Sequence, residues 1–368
     1  MQRGSIRILL IGVLMVIALA VVWLRGDQLK ELITTMEGGD FVPLVFAILA
    51  QFGKYVSQAY AYAAAFRIVG EKNVRSREML PLVFGSYFMN VIAPSFNTAG
   101  VMLVIDSARK RNIPTGRATS AVLLMQISVI TGFLVIMLVG FAVLQMAGQL
   151  SPVWFLLGMV MIFLVGVMVT IMYLGYRNPD ILANLLSPIE RLVNRLSRRF
   201  RKGKELEPWV QQVVDSFAEA GGKIRENPRQ ACVVFAFSVL ASTFELACFC
   251  LIGIAFGLNV LPVLVGGYVV ATLFSWVAIT PQGVGVVEAM IVVALTASRI
   301  NATMATAIAL AYRGVVFWMP FAIGALLIHR TQSFKRLSSP PSRRRLKAAQ
   351  HSETPDETQD TNPEENER

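Results

Sequence analysis

Thr280–Met290, TPQGVGVVEAM, lies between two apolar runs and combines a proline, two glycines and one acidic residue, Glu288. In hydrocarbon no water replaces the backbone hydrogen bonds that such a break gives up. Broken helices therefore persist at membrane depth only where they pack in protein or line a wet cavity. A break of this composition, buried in an apolar setting, marks a functional position.

The setting is apolar throughout. The 368 residues are 55% hydrophobic and 15% charged, with a mean hydropathy of +0.59, well above ordinary soluble domains. Runs long enough to cross about 30 Å of hydrocarbon recur along the chain. The formal charge of +11 sits in the loops between these runs, as cytoplasmic loops of membrane proteins do, so nucleic acid is not an expected partner. Cys232, Cys248 and Cys250 fall in one apolar run and read as small hydrophobes. The two histidines, His329 and His351, lie at or beyond the last run, so neither an intramembrane Ser/His dyad nor a His-ligated zinc site is expected.

Basic residues set the expected orientation. The loop Arg67 to Glu78 carries Arg67, Lys72, Arg75 and Arg77, and Asp106 to Ala118 carries Arg109, Lys110, Arg111 and Arg117. Both read as cytoplasmic. Leu80 to Ile105 between them must then return to its own side, and its break at Ala93-Pro94-Ser95 makes it a re-entrant hairpin with Asn90 and Asn97 flanking the tip. Full spans are expected at Ile8 to Leu24 (an uncleaved anchor), Phe41 to Phe66, Ala118 to Ala147, Val153 to Tyr176, Ala231 to Phe256 and Ala302 to Ile328. Val263 to Ser298, broken at Thr280 to Gly285, forms a second hairpin entering from the opposite face. The fold class is thus an all-α polytopic membrane protein: about six full transmembrane helices plus two broken re-entrant hairpins in an inverted repeat, with eight transmembrane helices as the alternative count. Broken segments at matching places in inverted halves point to a midplane transporter site.

One integral membrane domain is expected over 1–330: a first half (1–176), a basic linker (177–230) and a second half (231–330). A disordered cytoplasmic tail over 331–368, basic then acidic, follows. The loop Arg177 to Arg229 holds eleven Lys/Arg against seven Asp/Glu. Within it, apolar residues from Ile181 to Leu196 recur at helical spacing beside Arg191, Arg195, Arg198 and Arg199. That pattern suits either a helix lying on an anionic leaflet or one docked on the bundle. Both termini are expected in the cytoplasm and the protein in the plasma membrane.

The candidate site residues are the ionisable groups inside apolar runs, Lys54, Glu245, Glu288 and Arg313, with Gly283, Gly285, Asn90 and Asn97. Such charges normally face a cavity or one another. Arg313 offers a bidentate fork for phosphate, whereas Lys54 is a point charge able to snorkel; an internal pair of Arg313 with Glu245 or Glu288 fits equally. A half-helix starting near Val286 would aim free N–H groups at an anionic headgroup, and Glu288 in its first turn could cap those donors or contact substrate. Gln126 adds an uncharged partner. No GxxxxGK[ST] motif occurs and no cofactor is expected.

TPQGVGVVEAM resembles the proline-glycine-x-glycine-x-x-glutamate signature of the lysylphosphatidylglycerol synthase transmembrane-region, or flippase-like, family. Ala311-Tyr312-Arg313 followed by Trp318, Pro320 and Gly324 resembles the family's closing arginine span, and Asn90–Gly100 sits where it carries an Asn/Pro/Gly motif. Gln282 stands where a glycine is usual, and Pro94-Ser95-Phe96 lacks the glycine-rich form with its acidic residue, which implies a different headgroup. The resemblance implies a lipid translocase whose partners are membrane lipids and, where lipid is charged from aminoacyl-tRNA, a separate synthase. Aminoacyltransferase activity is not expected of this chain. The rival readings are an integral membrane transferase using Glu288 or Glu245 as general base, and a non-catalytic partner of a lipid or glycan synthase.

Overall fold

The computed structural model describes residues 38–328 apart from 93–97, 147, 149–151, 186, 189–208 and 279. The span at Ile8 to Leu24, the tip at Pro94, Asn97, the arginines from Arg191 to Arg199 and the tail lie outside the described residues. Those described form helices joined by short turns, with no strand: α1 Phe41–Ile68, α2 Ser76–Ile92, α3 Thr98–Lys110, α4 Thr115–Met146, α5 Pro152–Arg177, α6 Trp209–Glu226, α7 Pro228–Ala255, α8 Leu261–Val277, α9 Val286–Ala297, α10 Ala302–Arg313 and α11 Met319–Ile328. Among the described residues four stretches are long and apolar enough to cross a membrane: α1, α4, α7 and the composite Ala302–Leu327. The 26-residue α5 has no charged residue before Arg177. The protein is an all-α polytopic membrane protein.

Helix ends follow local chemistry. Gly70 (φ 95°) ends α1, its N–H donating to Arg67 O while Glu71 N–H donates to Phe66 O; Gly257 (φ 83°) ends α7 with the same pair of bonds to Ile254 O and Gly253 O. These left-handed C-terminal turns satisfy carbonyls that lipid would leave bare. Basic residues extend the helices beyond the apolar runs: Arg109 and Lys110 occupy the last turn of α3, where cations complement the helix dipole.

α1 and α7 are antiparallel. Asp40 N–H donates to Ala255 O (2.8 Å) at one end, Gly53 accepts the Phe244 ring at mid-length, and Tyr60 stacks on Phe237 (5.2 Å) towards the other. A helical hairpin follows each of them, so the two hairpins necessarily open towards opposite ends of the bundle. In the first, α2 and α3 fold back on each other: Gly100 N–H donates to Asn90 Oδ1 (2.7 Å) and Ser86 Oγ to Gly100 O (3.1 Å) near the tip. Arg111 meets Glu78 (2.6 Å) at the open end, and this hydrogen bond holds the Glu78 carboxyl below its ordinary range. In the second, Gly267 of α8 faces Leu295 of α9. The short arms α3 and α9, of 13 and 12 residues, reach only about 20 and 18 Å.

Two apolar cores result. One gathers the second half of α4, the C-terminal half of α7, and α8 to α10 around Phe249, Tyr268, Ile291 and Leu295. The other joins the C-terminal half of α1 to α2, α3 and the start of α4 around Tyr55, Phe66, Val83 and Met125. α11 returns along α2, with Phe321 stacked on Phe88 (5.3 Å).

The loop expected over Arg177 to Arg229 is in good part helical. Residues 179–185 continue beyond α5, and α6 lies against α4 and α5, with Ser120 Oγ donating to Glu219 (3.0 Å) and Arg225 to Tyr176 Oη (2.8 Å). Leu182, Val210 and Val214 are buried together. Docking on the bundle is therefore what the described part of this segment does. The apolar face of α6 was legible at 209, 210, 213, 214 and 217, but the surrounding charge masked it.

Small residues permit the closest helix contacts, as is usual between membrane helices. A Cβ on Gly132 would lie 2.8 Å from the Ser238 backbone, and one on Gly324 only 2.4 Å from Phe84 O, whereas Gly166 in α5 has open space around it. Gly132→Ala and Gly324→Ala should each destabilise the protein by about 1–3 kcal/mol. Gly166→Ala should be neutral or stabilising by about 0.5–1 kcal/mol. Unfolding midpoints in a common detergent measure all three.

Candidate functional site

Between the two cores lies a cavity of about 540 Å³. Helix periodicity brings its polar wall together. Lys54 and Gln58 are one turn apart on α1, and Ser238, Ser242 and Glu245 recur at i, i+4 and i+7 on α7. α2 contributes Ser86, Tyr87 and Asn90, and the second hairpin contributes Thr272, Ser275 and Gln282. Gln126 of α4 and Arg313 at the end of α10 complete it. Both hairpins and both long crossing helices thus converge on one space.

Two ion pairs organise this wall. Lys54 Nζ binds Glu245 Oε1 across the α1–α7 contact, the two side chains being 8% and 13% exposed. Tyr87 and Tyr55 present their rings to the ammonium at 5.7 and 5.9 Å, a favourable face for a cation, and Tyr268 Oη is 3.4 Å from the second Glu245 oxygen. Lys54 therefore does not snorkel: its partner and aromatic neighbours hold it inside. The second pair is Arg313 Nε to Glu288 Oε1 at 3.0 Å.

Arg313 and Glu288 also close the break that opened the sequence. The segment Pro281–Gly283 is one tight 3₁₀ turn; Gln282 (φ 55°), Gly283 (φ 67°) and Gly285 (φ 86°) all lie in the left-handed region. Glu288 Oε2 accepts from Gly285 N–H (2.8 Å) at the start of α9, and Arg313 Nη2 donates to Gln282 O (3.2 Å). Of the roles open to Glu288 the described residues display the cap, made by one oxygen, while the other oxygen makes the internal pair with Arg313 that the sequence also allowed. A Cβ on Gly283 would lie 3.1 Å from Ser275 Cα, which explains a glycine there. At 282 the left-handed backbone is the physical reason a glycine would be usual.

Arg313 is followed by a π-helical turn, Gly314–Trp318, and its guanidinium stacks over Phe317 at 4.7 Å. Single π turns accompany functional positions in helices, and this one interrupts what reads in sequence as one continuous span. Asn90 lines the cavity while its Oδ1 holds Gly100; Asn97 lies outside the described residues. Tyr87, Tyr268, Ser238 and Thr272 were not expected at the site. The spacing of Ser238 and Ser242 before Glu245 was the one signal available for them.

Lys54→Met alone strands the Glu245 carboxylate and should destabilise the protein by about 3–5 kcal/mol, whereas Lys54→Met with Glu245→Leu should recover most of that loss. A double-mutant cycle on unfolding midpoints in detergent checks it. Gln282→Gly should stabilise by up to about 1 kcal/mol, since it relieves the left-handed strain while leaving the carbonyl that Arg313 holds.

The chain matches the family model described as the lysylphosphatidylglycerol synthase TM region over residues 7–324. No curated protein and no solved structure matches it. With a match of that extent enclosing the broken turn, the hairpins and Arg313, the chain belongs to the lysylphosphatidylglycerol synthase transmembrane-region family, whose membership points to lipid modification or translocation.

Proposed function

We propose that the protein is a lipid translocase that moves a phospholipid, or another lipid carrying a polar headgroup, between leaflets of the plasma membrane. The observation that carries this reading is the cavity built from both hairpins and both crossing helices, with the ion-paired Lys54, Glu245 and Arg313 on its wall. A headgroup entering it exchanges water for fixed charges and hydroxyls while its acyl chains stay in lipid. Charges at such depth mark transport pathways, and hairpins from opposite ends suit alternating exposure of a central site.

In this reading both hairpins are re-entrant, their arms α3 and α9 being short of the roughly 30 Å hydrocarbon core. The end of the bundle carrying Arg67, Arg75, Arg111 and Arg117 faces the cytoplasm, and both termini lie on that side. Arg313 and Lys54 are the cations that receive the phosphate, the start of α9 adds backbone donors, and Glu245 or Glu288 meets a headgroup amine. Arg191, Arg195, Arg198 and Arg199 hold the linker to an anionic leaflet. The proposal includes no covalent step, and a separate synthase supplies any modified lipid.

Purified protein in vesicles containing acyl-chain-labelled phospholipid tests this by the fraction of label a membrane-impermeant quencher reaches. Label should cross faster than in protein-free vesicles, and Arg313→Ala and Glu288→Gln should each slow it at least about tenfold, the loss expected when a buried charged contact is removed. Unchanged rates in both variants, with unaltered elution profiles, would sink the assignment.

A further inference from the structure

We infer that the cavity selects headgroups of zero net charge, a phosphate with its own amine as in phosphoethanolamine, over net-anionic or net-cationic ones. This rests on the translocase reading and specifies the cargo class of the same cavity.

The charge sum is the first observation. Among the described residues, the Lys, Arg, Asp and Glu side chains on the cavity wall or paired to it are Lys54, Arg313, Glu245 and Glu288. Two are positive and two negative, each bound to an opposite partner. A headgroup with one net charge adds that charge to a wall already neutral, beside side chains that are themselves nearly buried (Lys54 8% and Glu245 13% exposed), where an uncompensated charge is penalised.

The second observation concerns exchange. If a lone phosphate draws Lys54 away, Glu245 keeps only the distant Tyr268 hydroxyl, 3.4 Å from its second oxygen. A zwitterion avoids this, because its phosphate takes the ammonium of Lys54 while its own amine takes the carboxylate released. Every charge then ends beside an opposite one. The amine also arrives where Tyr87 already presents a ring to a cation.

The third is one uncharged group beside the cavity whose hydrogen-bonding capacity is unused. Ser238 Oγ is buried, belongs to a cavity-lining residue and has no hydrogen-bond partner among the described residues. Buried hydroxyls are normally satisfied, and a headgroup phosphate or amine would satisfy this one, once its side chain turns towards the cavity, without altering the charge sum.

The test uses the full-length protein in mixed phosphatidylcholine–phosphatidylglycerol vesicles, one composition for three acyl-labelled probes: phosphatidylethanolamine, phosphatidylglycerol and a cationic aminoacyl-phosphatidylglycerol. Phosphatidylethanolamine should cross at least about tenfold faster than either other probe, the discrimination one uncompensated buried charge readily supplies. Glu245→Gln, which leaves the wall one charge positive, should shift the ratio towards phosphatidylglycerol, and Lys54→Gln should shift it towards the cationic lipid. Phosphatidylglycerol or the cationic probe crossing as fast as phosphatidylethanolamine in the unaltered protein overturns the inference and leaves the translocase reading standing. Failure of all three probes to cross above protein-free vesicles overturns both. Should either variant not fold, the three-probe comparison in the unaltered protein decides alone.

Discussion

Arg313 ties a broken backbone to a buried charge. Its guanidinium donates to the Gln282 carbonyl, freed by the turn, and to Glu288, which in turn holds the Gly285 N–H. Each of these groups would be penalised in hydrocarbon if left alone, and together they satisfy one another. The turn can therefore stand between apolar helices, and α9 can begin there with the Gly285 N–H satisfied by Glu288. The stacking of Phe317 over Arg313, made by the π turn that follows it, covers the remaining face of the charge.

The Lys54–Glu245 pair does comparable work between the halves. It links the middles of α1 and α7, the two antiparallel helices whose directions send the hairpins towards opposite ends. Removing one partner strands the other, so the pair ties the packing of the halves to the electrostatics of the space between them. Close contacts such as Gly132 on the Ser238 backbone bring the helices near enough for these short-range interactions to form.

Family membership and cavity chemistry meet in this central space. The family points to lipid modification or translocation, and the described wall sets polar groups and charges of both signs among apolar side chains, drawn from both hairpins and from α1, α4, α7 and α10. The two ion pairs satisfy the buried charges of this space within the protein itself.

Much of the fold was legible before any coordinates. Apolar runs located α1, α4, α5, α7 and the composite α10–α11, because a helix crossing lipid must be apolar over about twenty residues. Pro281, Gly283 and Gly285 marked the break, and basic loops flanking Leu80 to Ile105 required its two ends to lie together, as the Glu78–Arg111 contact shows. Lys54, Glu245, Glu288 and Arg313 stood out because ionisable groups are rare in such runs. Which charge pairs with which was not legible: Lys54 and Glu245 are 191 residues apart, and only the antiparallel packing of α1 on α7 sets them side by side. The same holds for the π turn, an adjustment of a continuous apolar helix around a buried guanidinium, and for α6, whose burial depends on α4 and α5. Local pattern determined the elements, their breaks and their charges; the pairings and the cavity they enclose were decided by tertiary packing, because ion pairs and hydroxyl contacts act over a few ångströms that separation along the chain does not encode.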